Sequence, residues 1–190
     1  MLTNSSPAAD FLPGPLAGGP VRYESGTQLS VPAARLEGMD HSISLSQHVN
    51  ASPEKVWAVI SDVPGSAATL SGVESIQMVS EGPYGEGTRW KETRSMMGRR
   101  ETVEMWVSQA DPPRSTTVKA LQGGADYTSR FTLEERGGGT DLTMTFGAEV
   151  LRPTVISRLM LALFGRLGMN MTRKALAKDL AEIAAKAEQL

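Results

Sequence analysis

The sequence predicts an α+β domain in which a curved antiparallel sheet of about six to seven strands wraps around one long C-terminal helix. Segments in which apolar and polar side chains alternate follow one another from residue 41 to residue 150, separated by turns rich in Gly and Pro. No helical period interrupts the last six segments, which favours strands that each pair with the next. After Pro153, apolar residues recur at three- and four-residue steps to the C-terminus, which predicts the helix.

The first 39 residues differ in composition from the rest. Residues 1–38 contain five of the 11 prolines and five of the 19 glycines, and their apolar residues follow no regular period. Such a stretch cannot bury enough apolar surface to offset the entropy lost on ordering. We therefore expect a disordered tail over 1–39 and a folded domain over 40–190. An alternative is that translation starts at Met39, which the intact mass of the native protein would show.

One strand and two short helices begin the predicted domain. Ile43, Leu45 and Val49 share one face of an alternating segment, which predicts a half-buried strand. Pro53 suits the first turn of a helix, because its missing N–H has no partner to lose there. A second short helix is predicted over 66–70.

Six further strands and the final helix complete the prediction. The strands are expected over residues 73–80, 88–97, 101–109, 115–121, 127–135 and 141–150, each bounded by turn residues. The final helix would be about 50 Å long at about 1.5 Å per residue. Arg158 and Arg166 interrupt its most apolar part, so we predict no membrane span.

Composition excludes several kinds of chemistry. The net charge of −2 argues against a nucleic-acid-binding protein, whose affinity depends on a basic surface. The absence of cysteine excludes disulfides and thiolate nucleophiles, and it is compatible with a cytoplasmic location. The only two histidines, His41 and His48, lie on opposite faces of the first strand. We therefore predict no metal site and no cofactor.

A set of motifs resembles a known family over about residues 40–190. The motifs are Val49-x-Ala51-Ser-Pro53-Glu54-Lys-Val56-Trp57-x-x-Ile60-Ser-Asp62, Gly72-Val73-Glu74-Ser75, Gly85-x-Gly87-Thr88-Arg89-Trp90-x-Glu92-Thr93, Asp111-Pro112-Pro113-Arg114 and Gly137-Gly138-Gly139-Thr140-x-Leu142-Thr143. Their order and spacing resemble the polyketide cyclase/dehydrase and lipid-transport branch of the START-like (SRPBCC) superfamily. This resemblance implies a helix-grip fold around a hydrophobic pocket. It also implies either cyclisation or dehydration of polyketides, or the carriage of lipids, quinones or hormones without chemistry.

The sequence departs from that family at one point. Many relatives carry a cluster of aromatic residues after the first helix, whereas residues 63–70 here are mostly small and polar. An aromatic wall of the pocket entrance is therefore missing, and the ligand preference of relatives does not carry over.

Strand parity predicts the residues that would line a pocket between sheet and helix. On the strand over 88–97, the face that carries Trp90 is more apolar than the opposite face. We therefore expect Glu92 and Arg94, which share that face, to point inward. On the strand over 101–109, Val103 and Met105 compete with the face of Trp106, and we favour the former. The predicted ligand-binding set is Trp90, Glu92, Arg94, Met96, Val103, Met105, Tyr127, Ser129, Phe131, Leu142, Met144, Phe146, Met160, Leu163, Leu167 and Met171.

Three functions remain open at this point. The first is a carrier or sensor that binds a hydrophobic small molecule, as a monomer or homodimer. The second is a cyclase or dehydratase in which Glu92 moves a proton and Tyr127 orients the substrate. Against it, Glu92 could instead pair with a basic neighbour across the sheet or lie on the exposed face. The third is an interaction module without a pocket, in which the same apolar residues simply pack a core.

Overall fold

The computed structural model describes residues 42–96, 99–150 and 166–190. The predicted tail over 1–39 lies outside these residues, as do residues 153–165 of the predicted C-terminal helix. In chain order the elements are β1 Ser42–Val49, α1 Pro53–Ser61, α2 Ser66–Thr69, β2 Val73–Met78, β3 Arg89–Met96, β4 Arg99–Asp111, β5 Ser115–Gln122, β6 Ala125–Arg136, β7 Gly139–Val150 and α3 Arg166–Ala187.

The seven strands form one antiparallel sheet in the order β1-β7-β6-β5-β4-β3-β2. From β2 to β7 each strand pairs with the next, and β1 joins beside β7. The predicted α+β class and antiparallel sheet are therefore confirmed. In β6, Ala125, Ser129 and Leu133 are buried because they point to the concave face, as a two-residue period requires.

The opposite face of the sheet carries pairs of hydroxyl groups across neighbouring strands. The hydroxyls of Ser44 and Thr145 are 3.1 Å apart across β1 and β7, and those of Ser46 and Thr143 are 2.8 Å apart one pair further along. Such cross-strand pairs fix the register, because a slip of one residue would turn these hydroxyls toward the core.

Helix α3 packs its apolar stripe against β1 and α1. Leu176, Leu180 and Ile183 are buried in one cluster with Ile43 of β1 and Val56 of α1. Burying a side chain of this size stabilises the fold by about 1.5–3 kcal/mol. In the ranges that the structure describes, no helix is long and apolar enough to cross a membrane.

Two acidic side chains, one on α3 and one directly after it, bind loops of the domain. A Glu182 carboxylate oxygen accepts a hydrogen bond from the backbone N–H of Ser71 at 2.9 Å, and the other accepts one from the Ser71 hydroxyl at 2.6 Å. Glu188 accepts hydrogen bonds from the backbone and side-chain nitrogens of Asn50 at 2.8 and 3.0 Å. These contacts fix the helix over the concave face of the sheet.

A second buried cluster lies at the β2–β5 side of the sheet. It contains Val63, Trp90, Val107 and Val118. The space between this cluster and the one around α3 is only partly filled by side chains.

Candidate functional site

A cavity of about 300 Å³ occupies that space. Its floor is the concave face of strands β3 to β7, and α3 covers it. Residues of α1 and α2 close one side, among them Val59, Ile60, Ser66 and Thr69. The walls are mostly apolar, as is usual for small-molecule sites.

Ten residues of the predicted ligand-binding set line this cavity. They are Trp90, Glu92, Arg94, Val103, Met105, Tyr127, Ser129, Phe131, Met144 and Phe146. The faces that we favoured for the two strands β3 and β4 are therefore the faces that point inward.

Two predicted residues lie elsewhere. Leu142 is fully buried beside Leu133 in the cluster around α3, because this end of β7 is covered directly by packed helix side chains. Met171 is 44% exposed and faces solvent. Met160 and Leu163 lie outside the described residues, and for Met96 and Leu167 only the backbone is described.

Within the described part of α3, five residues line the cavity. The lining residues of α3 are Thr172, Ala175, Leu176, Asp179 and Ile183. Among the described members of the predicted stripe, Leu176, Leu180 and Ile183 are buried and Met171 is exposed, because the period alone does not say which turns of a long helix cross the sheet.

Three charged side chains form a network at the inner wall. The Arg94 guanidinium donates from Nε to Glu92 Oε1 at 2.5 Å and from Nη1 to Asp179 Oδ2 at 2.7 Å. Trp90 Nε1 donates to the other Glu92 oxygen at 3.3 Å. The Glu92 and Asp179 side chains are each only 10% exposed, so the network is largely removed from water.

Local sequence explains how this network is assembled. Glu92 and Arg94 are two residues apart on β3, so their side chains project from the same face. Asp179 interrupts the apolar stripe of α3 between Leu176 and Leu180. Because α3 lies over the concave face of the sheet, the Asp179 carboxylate pairs with Arg94 from the helix side. Gly72 leaves room beside them, since a Cβ at that position would lie 3.4 Å from Arg94 Nη1.

Sequence reasoning missed Asp179, although a signal was present. An acidic residue within an apolar helical stripe must find a partner when it is buried. The predicted alternative that Glu92 pairs with a basic residue is correct in substance, but the partner is on the same strand and the pair faces inward.

Burial and charge shift the protonation of the network. Burial raises the pKa of Asp179, and the neighbouring Arg94 only partly opposes this. For Arg94, burial alone would lower the pKa, but the charges of Glu92 and Asp179 and their hydrogen bonds raise it. Arg94 is therefore a permanent cation, and Asp179 has an increased tendency to hold a proton.

Aromatic side chains shape the two ends of the cavity. Tyr84 meets Trp57 edge to face at 5.8 Å between ring centroids, and its hydroxyl lies 2.8 Å from the Thr116 hydroxyl. Burial raises the pKa of Tyr84, so it stays a neutral phenol. At the other end, Tyr127 stacks on Phe146 at 6.1 Å, and burial followed by the charge of Glu101 raises the Tyr127 pKa.

Within the ranges that the structure describes, no group of three or more His, Cys, Asp or Glu residues is placed to hold a metal ion. The functional groups of the residues at the cavity wall are carboxylate, guanidinium, ammonium, amide, indole, phenol and hydroxyl groups.

Comparison with known proteins gives a consistent result. The family model described as polyketide cyclase / dehydrase and lipid transport matches residues 40–188. No curated protein sequence matches the chain significantly.

Solved structures share the fold at low sequence identity. The Zhui aromatase/cyclase from Streptomyces sp. R1128 is 18% identical with a TM-score of 0.65, over 78% of this chain and 94% of that one. A START superfamily protein from Mycobacterium smegmatis is 15% identical with a TM-score of 0.63, over 78% of this chain and 98% of that one. A protein from Thermus thermophilus is 19% identical with a TM-score of 0.63, over 77% of this chain and 97% of that one.

Proposed function

Because the chain belongs to the polyketide cyclase/dehydrase and lipid transport family, we propose that it binds a hydrophobic small molecule of lipid, polyketide or aromatic type in this cavity, as a carrier or sensor. The observation that carries the proposal is the cavity itself. Its volume of about 300 Å³ is at the lower end of the range of small-molecule sites, about 300–1,000 Å³. Burying an apolar ligand there would remove it from water at a gain of about 25 cal/mol per Å² of apolar surface.

The pairing of the polar groups supports binding rather than proton transfer by Glu92. A general base must lie within hydrogen-bond reach of the proton it removes and needs an oxygen available for it. Both Glu92 oxygens already accept hydrogen bonds, one from Arg94 and one from Trp90. A substrate proton would therefore have to compete with these two donors for the Glu92 carboxylate.

A cyclase or dehydratase is the second candidate, and one observation favours it. Asp179 lines the cavity, and burial raises its pKa, so it has an increased tendency to hold a proton that it could donate. Native mass spectrometry of the gently purified protein tests this candidate. If a co-purifying ligand loses the mass of water on incubation, and Asp179→Asn stops that loss, the enzyme hypothesis replaces the carrier hypothesis. Unchanged ligand mass together with an unchanged ultraviolet spectrum of the ligand, which ring closure would alter, supports a carrier. The same mass spectra distinguish monomer from homodimer.

A matched pair of variants tests whether binding takes place in the cavity. Ala175 on α3 lines the cavity, whereas Ala177 on the same helix is exposed. We expect the neutral apolar dye N-phenyl-1-naphthylamine to bind the full chain saturably. Ala175→Trp should weaken that binding at least about tenfold by filling the space, and Ala177→Trp should leave it unchanged.

Two results of this titration would contradict the proposal. Equal loss in both variants would place the dye outside the cavity. No saturable binding to the unmodified chain, together with no co-purifying ligand, would instead favour an interaction module without a ligand.

A further inference from the structure

We propose that the cavity selects uncharged apolar molecules that carry a carbonyl or hydroxyl oxygen, and that it rejects lipids that end in a carboxylate or phosphate. This inference rests on the proposed function, since it names the class of ligand for the same cavity. It follows from the charges that face the cavity and from how they are already paired.

The charged side chains that point into the cavity are mainly acidic. They are the carboxylates of Glu92, Glu101 and Asp179 and the single guanidinium of Arg94. Lys119 also borders the cavity, but side chains alternate along β5, so Lys119 points to the face opposite Val118 and Ala120. Its ammonium group pairs there with Asp126 at 3.2 Å. Each cationic side chain among the described lining residues is therefore already paired with a carboxylate.

The guanidinium of Arg94 is already occupied by two carboxylates. Its Nε contacts Glu92 and its Nη1 contacts Asp179. With Asp179 ionised these three groups carry a net charge of −1, and with Asp179 protonated they carry zero. In neither state is the network positive, so an incoming carboxylate or phosphate would be desolvated without gaining a cationic partner.

The acidic character extends to the rim of the cavity. Glu101 lies opposite Arg94 on the neighbouring strand β4, and its carboxylate accepts a hydrogen bond from Gln122 Nε2 at 3.2 Å. The negative charge of Glu101 acts on the cavity wall, since it contributes to the raised pKa of Tyr127. An anionic head group would meet this repulsion whether it pointed inward or remained at the rim.

An uncharged oxygen has suitable neighbours in the same cavity. The hydroxyl groups of Ser129 and Thr69 line it, and a hydroxyl can both donate and accept a hydrogen bond. The remaining walls are apolar side chains such as Met105, Phe131 and Met144. A ketone, ester, phenol or alcohol therefore fits where a carboxylate does not.

Competition between two matched ligands tests the inference. Decan-1-ol and decanoate share the same chain, and each would be titrated against bound N-phenyl-1-naphthylamine at a pH where decanoate is ionised. We expect the full chain to bind decan-1-ol at least about tenfold more tightly than decanoate. Asp179→Asn should reduce this preference at least about threefold by releasing one side of Arg94. The matched charge change Glu188→Gln, just after the C-terminus of α3 and outside the cavity lining, should leave it unchanged.

Each outcome has a distinct meaning. Tighter or equal binding of decanoate by the unmodified chain would overturn the inference while leaving the proposed function intact. An unchanged preference in Asp179→Asn, with the variant still binding the dye, would overturn the role of the paired Arg94. Displacement by neither ligand, together with no dye binding, would overturn the proposed function and the inference with it.

Discussion

Replacing Arg94 with methionine should destabilise the fold strongly, because it leaves two buried carboxylates without their shared cation. Glu92 and Asp179 are each 10% exposed, and Arg94 is 28% exposed between them. Removing one partner from a buried ion pair costs about 3–5 kcal/mol. Protonation of the buried carboxylates in Arg94→Met would limit this loss of stability. At about pH 7.5, protonating a carboxyl with the ordinary Asp pKa of 3.8 costs about 5 kcal/mol, so the full loss should appear there.

The loss should shrink in acid, which gives the prediction a second test. At about pH 5 the same protonation costs about 1.6 kcal/mol, so we expect Arg94→Met to lose only about 2 kcal/mol there. Urea denaturation of the full chain, followed by tryptophan fluorescence at both pH values, measures both numbers. A loss below about 1 kcal/mol at neutral pH, or the same loss at both pH values, would refute the reasoning.

Two controls separate charge from packing. Arg100→Met removes the cation of the Arg100–Glu74 pair, whose Arg side chain is 77% exposed, and should cost less than about 1 kcal/mol. The triple variant Glu92→Leu/Arg94→Met/Asp179→Leu removes the whole network. It should recover most of the stability that Arg94→Met loses, since no buried charge remains.

Three further predictions concern residues around the site. Tyr84→Phe removes the hydrogen bond to Thr116 and should cost about 1 kcal/mol in urea denaturation; an unchanged midpoint would contradict it. Gly139→Ala would press a methyl group against the Val49 carbonyl oxygen and should cost about 1–3 kcal/mol, seen as a lower Tm; an unchanged Tm would speak against this contact. Because the pKa of Asp179 is raised on folding, its contribution to stability falls as the pH rises through its folded pKa. Asp179→Asn should thus gain stability relative to the unmodified chain as the pH rises above the ordinary Asp pKa of 3.8, whereas a constant difference would exclude the linkage.

The sheet could be predicted from the sequence because its residues carry local signals. Turns such as Gly137-Gly138, both with positive φ, mark where strands end. The two-residue period of β3 was enough to place Trp90, Glu92 and Arg94 on the inner face. These features depend on neighbours within a few residues, which pattern reasoning captures.

The helix side of the cavity could not be predicted in the same way. The period of α3 identifies an apolar stripe, but only packing against β1 and α1 decides that Leu176 and Ile183, rather than Met171, lie over the sheet. The partnership of Arg94 with Asp179 joins residues 85 positions apart. Local sequence patterns do not relate residues that are so far apart in the chain. The only sign of this pair in the sequence was the acidic residue within the apolar stripe of α3.

Methyl NMR of the methionines gives the most direct test that this cavity binds a ligand. Met105 and Met144 line the cavity, whereas Met171 is exposed and does not. On addition of decan-1-ol to the full chain, we expect the methyl signals of Met105 and Met144 to shift saturably and that of Met171 to stay in place. A shift at Met171 without shifts at the two lining methionines, or no saturable shift at any of them, would contradict the central claim.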